Sequence, residues 1–296
     1  MVEYEIIEIK ESKLIQQVIE VQRLAWQRDD YSLVPPTILR ALATHGGKIF
    51  GAVTPEQQLI GYVLGFPALS IVDSSKGDKF LYFHSHQIGV IPAFQNFGVG
   101  TALKAKQREY CLKMKFPVLT WTYDPLVSTN SQVNFKHLNT ISRTYHTDYY
   151  GPRNDAYNAQ LPTDRMEVEL WLIPSIESSL LALKDKILGN VQDQDVSDLW
   201  HFNDDPLPSL ESVTIDENIE SYFIPIPGDF LIAKKSDFEK LLKWRLIIRE
   251  VYKKLIEKKF VCIDFWRSRD PEIPSTLVWT TSPVFERVSP KFLQIN

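Results

Sequence analysis

The tightest constraint on this chain is the stretch from residue 80 to 115, FLYFHSHQIGVIPAFQNFGVGTALKAKQREYCLKMK. Its opening run, Phe80 to Val90, is rich in aromatic and branched residues, which is the composition of a buried strand. Pro92 breaks that run, Gln95-Asn96-Phe97-Gly98-Val99-Gly100 follows, and a helical pattern then extends to about Lys115. A strand, a glycine loop and a helix in this order can cradle phosphate. Glycine lets the backbone approach a ligand closely, and the helix start supplies unpaired N–H groups at the positive end of its dipole. A lone Gly-x-Gly is weak, because chance produces it often, whereas the whole string with its flanking strand and helix is far more specific. The plainer alternative is an ordinary strand, turn and helix packed on a sheet.

The rest of the chain sets bounds. At 296 residues it can hold one large domain or two medium ones. Apolar residues make up 44% and charged residues 24%, enough for a sizeable core. A net charge of −4 with no dominant basic stripe argues against nucleic acid as a partner and leaves room for a local basic pocket. Cys111 and Cys262 both fall in expected regular elements, so they read as reduced thiols and not as a disulfide framework. No apolar run approaches about 18 residues, and the N-terminal segment is acidic and alternating, unlike a secretory leader. The expectation is a cytoplasmic protein with no membrane partner. Oligomeric state is not legible.

Val2 to Lys10 alternates apolar and polar and reads as a strand, and a helix runs from the Glu11-Ser12 cap to Gln27. Asp29 to Pro36 reads as a connection, and Pro36 to His45 as a second helix. Lys48–Val53 and Gln58–Phe66 form a hairpin, and Pro67 to Asp78 reads as a loop. The 80–115 unit comes next, and Val118 to Tyr123 is another strand. A helix is expected from Gln132 or Val133 to about Tyr145, and a closing strand pair from Asp155–Leu161 and Arg165–Leu172. Pro174 marks the expected boundary between a domain at 1–173 and an α+β extension at 174–296. In the extension, Ile176 to Ile187 reads as helix, and the acidic segment Gly189 to Thr214 as a surface excursion. Ile219–Phe223 and Asp229–Ala233 read as short extended pieces. A long helix follows the Ser236-Asp237 cap, with Phe238, Leu241, Leu242, Trp244, Leu246 and Val251 inside. Phe260–Trp266 and Ser275–Thr281 form the last strand pair.

The stretch Gln95, Gly98 and Gly100, preceded by Val90, Ile91 and Pro92, resembles the acyl-CoA signature of the GNAT superfamily of N-acyltransferases, Gln/Arg-x-x-Gly-x-Gly/Ala. His84-Ser85-His86, Trp121-Thr122-Tyr123-Asp124-Pro125-Leu126 and Leu161-Pro162-Thr163-Asp164-Arg165 resemble phrases of a long bacterial branch of that superfamily with a C-terminal extension. The resemblance implies an α/β (α+β) fold: a central mixed, largely antiparallel sheet splayed at a parallel strand pair and flanked by helices. It also implies that acyl-CoA is the donor; no metal is expected, because no third and fourth ligand accompany the two histidines at recognisable spacing. Pantetheine would lie along Ile88 to Val90, and the phosphates on Gln95, Asn96, Phe97, Gly98, Val99, Gly100 and Thr101.

Acyl transfer to an amine needs a neutral nucleophile, a donor for the oxyanion and a proton for the departing thiolate. His84 is the first candidate base. A glutamate holds the comparable strand position in histone acetyltransferases of the family, and an imidazole titrates near about 6.5. Its alternative is a hydrogen-bonded structural histidine. His86, two residues on, can orient an acceptor; as a metal pair the two histidines lack further ligands at recognisable spacing. Asp124 can accept from a substrate ammonium or simply start a turn. Tyr145 and Tyr149 compete as thiolate acid, because the usual family ending after this tyrosine is not preserved. Trp121 is placed beside the acceptor, and Arg165 suits a substrate carboxylate, or a solvated turn. Lys104 and Lys106 can meet the CoA phosphates or only solvate their helix.

These residues point first to an N-acyltransferase acting on the primary amine of a small molecule or amino acid, by direct attack in a ternary complex. Two alternatives stay open: a fatty-acyltransferase acting on a Lys or ornithine side chain of a peptide, and a non-catalytic acyl-CoA sensor.

Overall fold

A computed structural model describes residues 2–26, 33–73, 78–153, 155, 157–189, 215–216 and 218–282. The chain forms two compact units, Met1–Trp121 with Asn154–Ala159, and Thr122–Arg153 with Gln160–Asn296. The change of unit falls inside a strand upstream of Pro174.

The first unit opens with β1 (Glu5–Glu8), α1 (Ser12–Trp26) and α2 (Pro36–Thr44). Three strands follow, β2 (Lys48–Val53), β3 (Leu59–Asp73) and β4 (Asp78–Val90). Then come α3 (Val99–Lys113) and β5 (Val118–Tyr123), whose last two residues belong to the second unit. The strands lie in the order β1-β2-β3-β4-β5. Every pair is antiparallel except β4 with β5, which run parallel. This is the mixed, mostly antiparallel sheet that the GNAT resemblance implied. Its core gathers Leu14, Val18 and Leu39 from the first two helices, Ile49, Tyr62 and Val63 from the strands, and Val99 and Leu103 from α3.

The alternation of β4 breaks at one residue. Leu64 pairs with Gln87 and Gly65 with Ser85, so His86 is extra, a β-bulge. Before it, Ser85 meets α3 through Lys104. After it, Ile88 and Val90 face α3, each 4.0 Å from where a Gly100 side chain would begin. Gln87 points the other way, accepting a 2.5 Å hydrogen bond from Tyr62, whose ring meets Trp26 of α1.

The second unit contains α4 (Ser128–Ser131), which continues as a π-turn over Gln132–His137, then β6 (Ile141–His146) and β7 (Arg165–Trp171). It continues with α5 (Pro174–Leu188), β8 (Ser221–Ile226), α6 (Phe230–Ser236), α7 (Phe238–Glu257), β9 (Phe260–Trp266) and β10 (Ser275–Thr281). Its strands run β7-β6-β9-β10-β8. Pro225 is tolerated because β8 lies at the end of that order, where one side of the strand needs no ladder donor.

Several expectations are corrected. Pro67 to Asp78 is not a loop: β3 and β4 continue as paired arms, with Pro67 opposite Phe83 and Ser70 opposite Phe80. The helix expected to reach Tyr145 stops at His137, and Tyr145 lies on β6. β7 pairs with β6, and not with Asp155–Leu161, which forms turns where described. Asp229 caps α6, in a segment expected to be extended, by accepting from the Ile232 N–H at 2.9 Å. On α7, Leu246 turns outward and Arg245 turns in. Residues 29–32 of the expected connection at Asp29–Pro36, and all of the expected excursion at Gly189–Thr214 after Gly189, lie outside the described residues.

Gly65 is needed for the close approach of α3 to the sheet. A Cβ there would sit 2.4 Å from the Phe83 ring and 2.8 Å from the Gln107 amide. Gly65→Ala is expected to lower stability by about 1–3 kcal/mol in denaturant unfolding, because the Phe83 ring is fully buried and the His84 carbonyl, 2.8 Å from that Cβ, is backbone. An unchanged midpoint would show that α3 can shift.

Candidate functional site

The glycine loop is shaped as the motif suggested. Asn96 and Gly98 both adopt left-handed backbone, at φ 67° and 81°. The turn at Gly98 starts α3 with no side chain capping it. The first helical bond runs from Ala102 N–H to Gly98 O at 3.0 Å, so the N–H groups of Val99, Gly100 and Thr101 precede the ladder. Such groups bind anions well, since the helix dipole adds to them. Gln95 donates through Nε2 to the Val90 carbonyl at 3.0 Å, which ties the loop to the end of β4. Phe97 is exposed at the loop tip.

Beside the loop the sheet forks. β4 pairs with β5 only at Phe83–Leu119 and His84–Thr120. β4 continues to Val90, with Ile88 and Val90 paired to β3 on its other side. His84 stands at the fork, half-buried, with Nδ1 3.0 Å from the Thr120 hydroxyl. His84 and His86 are brought together around one ring, with Phe66 centred 5.7 Å from the first and 6.0 Å from the second. Among the described residues no group of three His, Cys, Asp or Glu side chains could hold a metal, and no helix is long and apolar enough to cross a membrane.

Lys104 does not solvate its helix. It is buried, donates to Ser85 Oγ at 2.7 Å and lies 3.8 Å from the centre of the Trp121 ring. Lys106 pairs instead with Glu109 on the surface. Thr120 was not among the expected site residues, and Lys104 was weighed only as a phosphate contact or a solvated residue. The available signal was the α3 stripe of Val99, Leu103, Gln107 and Cys111, which passes directly through Lys104.

The other candidates belong to the second unit, in a network of buried charges. Asp124 accepts from Arg245 Nη2 at 2.6 Å and from the Leu126 N–H at 3.0 Å, and Arg165 lies 3.5 Å away. Asp164 accepts two 2.9 Å bonds from Arg249 and a 2.6 Å bond from the Tyr145 hydroxyl. Arg165 also donates to the Asp164 carbonyl and lies against the Tyr150 ring. Tyr149 is exposed, with its ring 4.6 Å from that of His146. Burial, and secondarily the charge of Asp164, pushes the Tyr145 hydroxyl well above its usual range, against the opposing field of Arg245. Burial alone would raise Asp164; the bonds from Arg249, Tyr145 and the Asp148 N–H outweigh it and hold the carboxyl below its usual range. Arg245 and Arg249 were missed. The sign was a basic residue at position 245 inside the apolar spacing Leu241, Trp244, Ile248 and Val251.

No protein-family model and no curated protein matches the chain. Solved structures similar to it include Chaetomium thermophilum Naa20 in complex with a bisubstrate analogue, with 11% identity over 56% of this chain and 86% of that one at a TM-score of 0.45. The ribosomal-protein-S18-alanine N-acetyltransferase from Escherichia coli is 13% identical over 57% of this chain and 94% of that one, at 0.42. An aminoglycoside acetyltransferase from an uncultured soil metagenomic sample, in complex with trehalose, is 13% identical over 42% of this chain and 79% of that one, at 0.35.

The Asp164 network makes a pH prediction. A carboxyl depressed in the folded state contributes stability above its unfolded pKa, and loses it as pH falls through the folded value. Asp164→Asn is expected to cost about 3–5 kcal/mol at neutral pH, because Arg249 then loses its partner. The gap between variant and wild type should close as pH drops below about 3.9. Denaturant unfolding across pH measures it, and a constant gap would mean that the carboxylate charge is not the source.

Proposed function

We propose that this protein is an acyl-CoA-dependent N-acyltransferase that acts on the primary amine of a small molecule or amino acid. The observation that carries the reading is the fork: β4 leaves β5 after two paired residues, next to an uncapped helix start behind a left-handed glycine. An extended pantetheine arm with its two amides can add to a strand that has a free edge, as a peptide does in β-augmentation. The pyrophosphate belongs on the N–H groups of Val99, Gly100 and Thr101, close to Ile88 and Val90.

His84 is the proposed base. Its bond to Thr120 fixes the ring: with Nδ1–H donating to Oγ1, the lone pair sits on Nε2, and that atom takes the proton from the acceptor ammonium. The neutral amine then attacks the thioester carbonyl, the C–N bond forms and the C–S bond breaks. His86 and Trp121, near the same end of β4, are proposed to border the acceptor. We read Asp124, Tyr145 and Arg165 as parts of the second unit's ion network, since their polar atoms bond to one another and to Arg245 and Asp164.

Gly98→Asp tests the cradle. A Cβ at Gly98 meets nothing within 4 Å, and aspartate tolerates left-handed backbone, so the fold should hold. Its carboxylate would cap the helix N–H groups itself and repel phosphate. CoA affinity by calorimetry should fall at least ~10-fold, about 1.4 kcal/mol; unchanged affinity would mean that the loop does not hold CoA.

The activity test is CoA release on a panel of amines with short- and long-chain acyl donors. His84→Ala should lower turnover about 10²–10⁴-fold and flatten the pH profile near neutrality while CoA still binds. Tight binding without turnover on any amine would favour a sensor, and a preference for long-chain donors would favour fatty-acylation.

A further inference from the structure

The interior of the first unit holds an amine that the reaction above does not use. Lys104 lies on α3 just beyond Gly100, so it shares the helix whose start is assigned to the pyrophosphate. Its Nζ lies between Ser85 of β4 and Trp121 of β5. Those two residues are the next ones after the last β4–β5 pair, His84 with Thr120. The amine therefore occupies the closed end of the fork. Along β4, Val90 to Ser85 is five steps of strand, ~16 Å at ~3.3 Å per residue. A pantetheine arm, with two amides and their spacers, has a span of that order. An arm anchored at the α3 start and laid along β4 brings its sulfur to Ser85, and so to Lys104.

We propose that Lys104 is the proton donor to the departing CoA sulfur. This rests on the acyl-CoA reading above. As the C–S bond breaks, the electron pair stays on sulfur, and the Lys104 ammonium passes one proton to it, giving CoA thiol and a neutral lysine. The proton shed by the acceptor nitrogen as the amide forms goes to water, because His84 already holds the proton of the acceptor ammonium, and His84 and Lys104 return to their starting states by exchange with solvent before the next turnover. Atoms and charge balance with no further reactant.

The surroundings suit the task. Burial pushes the Lys104 ammonium down to about 7. The Cys111 thiol is itself pushed up by burial to about 12, so it stays neutral. From β4, Ser85 offers a hydroxyl, with His84 and His86 on either side of it in sequence, and β5 offers the uncharged Trp121 ring. Among the described residues no carboxylate lies within ion-pair distance of Lys104. An ordinary thiol titrates near about 8.5, so transfer from this ammonium to a thiolate runs downhill. The Trp121 face holds the charged form in place without neutralising it.

The test uses acyl-CoA and an amine accepted in the panel, with the wild type beside Lys104→Met, a volume-conserving change that leaves the site apolar. Wild-type turnover should fall as pH rises through about 7, where the lysine loses its proton, and that falling limb should be absent from the variant, whose turnover is at least about 10²-fold lower while CoA still binds. The same rate and pH profile in both proteins, with CoA bound in both, would overturn the proposal. If the variant fails to fold, the wild type decides: turnover that does not fall between about pH 6 and pH 9 would overturn the proposal. If the wild type binds no CoA or turns over no amine, the acyl-transfer reading falls first and takes this assignment with it.

Discussion

The first unit depends on the unequal pairing of β4. On one side it is bonded along its length to β3; on the other it is bonded to β5 for two residues and then released. A strand held firmly on one edge and free on the other is stable, yet it keeps backbone groups available. The His86 bulge adds local twist and changes which side chains face α3. Because of that change, Ser85 reaches Lys104 from one side of the bulge while Ile88 and Val90 meet Gly100 from the other. The cradle and the fork are thus joined by one helix and one strand.

The second unit is organised by charge. Asp124 with Arg245, Asp164 with Arg249, and Arg143 with Glu169 are all at least partly buried ion pairs. Such pairs seldom stabilise more than apolar side chains of the same volume would, but they penalise every arrangement that separates them. Arg245 shows this best. It is 1% exposed, and its Nη2 bond to Asp124 joins residues 121 positions apart in the chain. The network therefore holds distant segments in a single arrangement.

Local chemistry explains what could be read from the chain. The Gly98 turn, the α3 start and the strand on either side were legible because glycine, proline and periodicity act over a few residues. The α7 start was legible for the same reason, as Asp237 accepts from the Lys240 N–H at 2.9 Å. The long β3–β4 arms were not legible. Pro67 and the polar run after it read as loop, and only pairing across the hairpin makes them strand. Tyr145 was lost in the same way: its helical spacing continued past His137, but pairing with Met166 of β7 places it in a sheet.

By itself, the sequence determined the left-handed glycine turn at the α3 start and the element order of the first unit, because each follows from backbone preference within one or two elements; the mixed class of the sheet came from the GNAT resemblance and not from local preference. Tertiary structure alone decided where the charges lie. Helical spacing sets Lys104 beside the α3 stripe and Lys106 off it, but only packing shows that the first is sealed under the sheet while the second meets Glu109 at the surface. Nothing local marks Arg245 as the partner of Asp124. Burial is a property of the whole packed unit, and the energy of a charge is set by what surrounds it. Its role is therefore written only when distant strands and helices close around it.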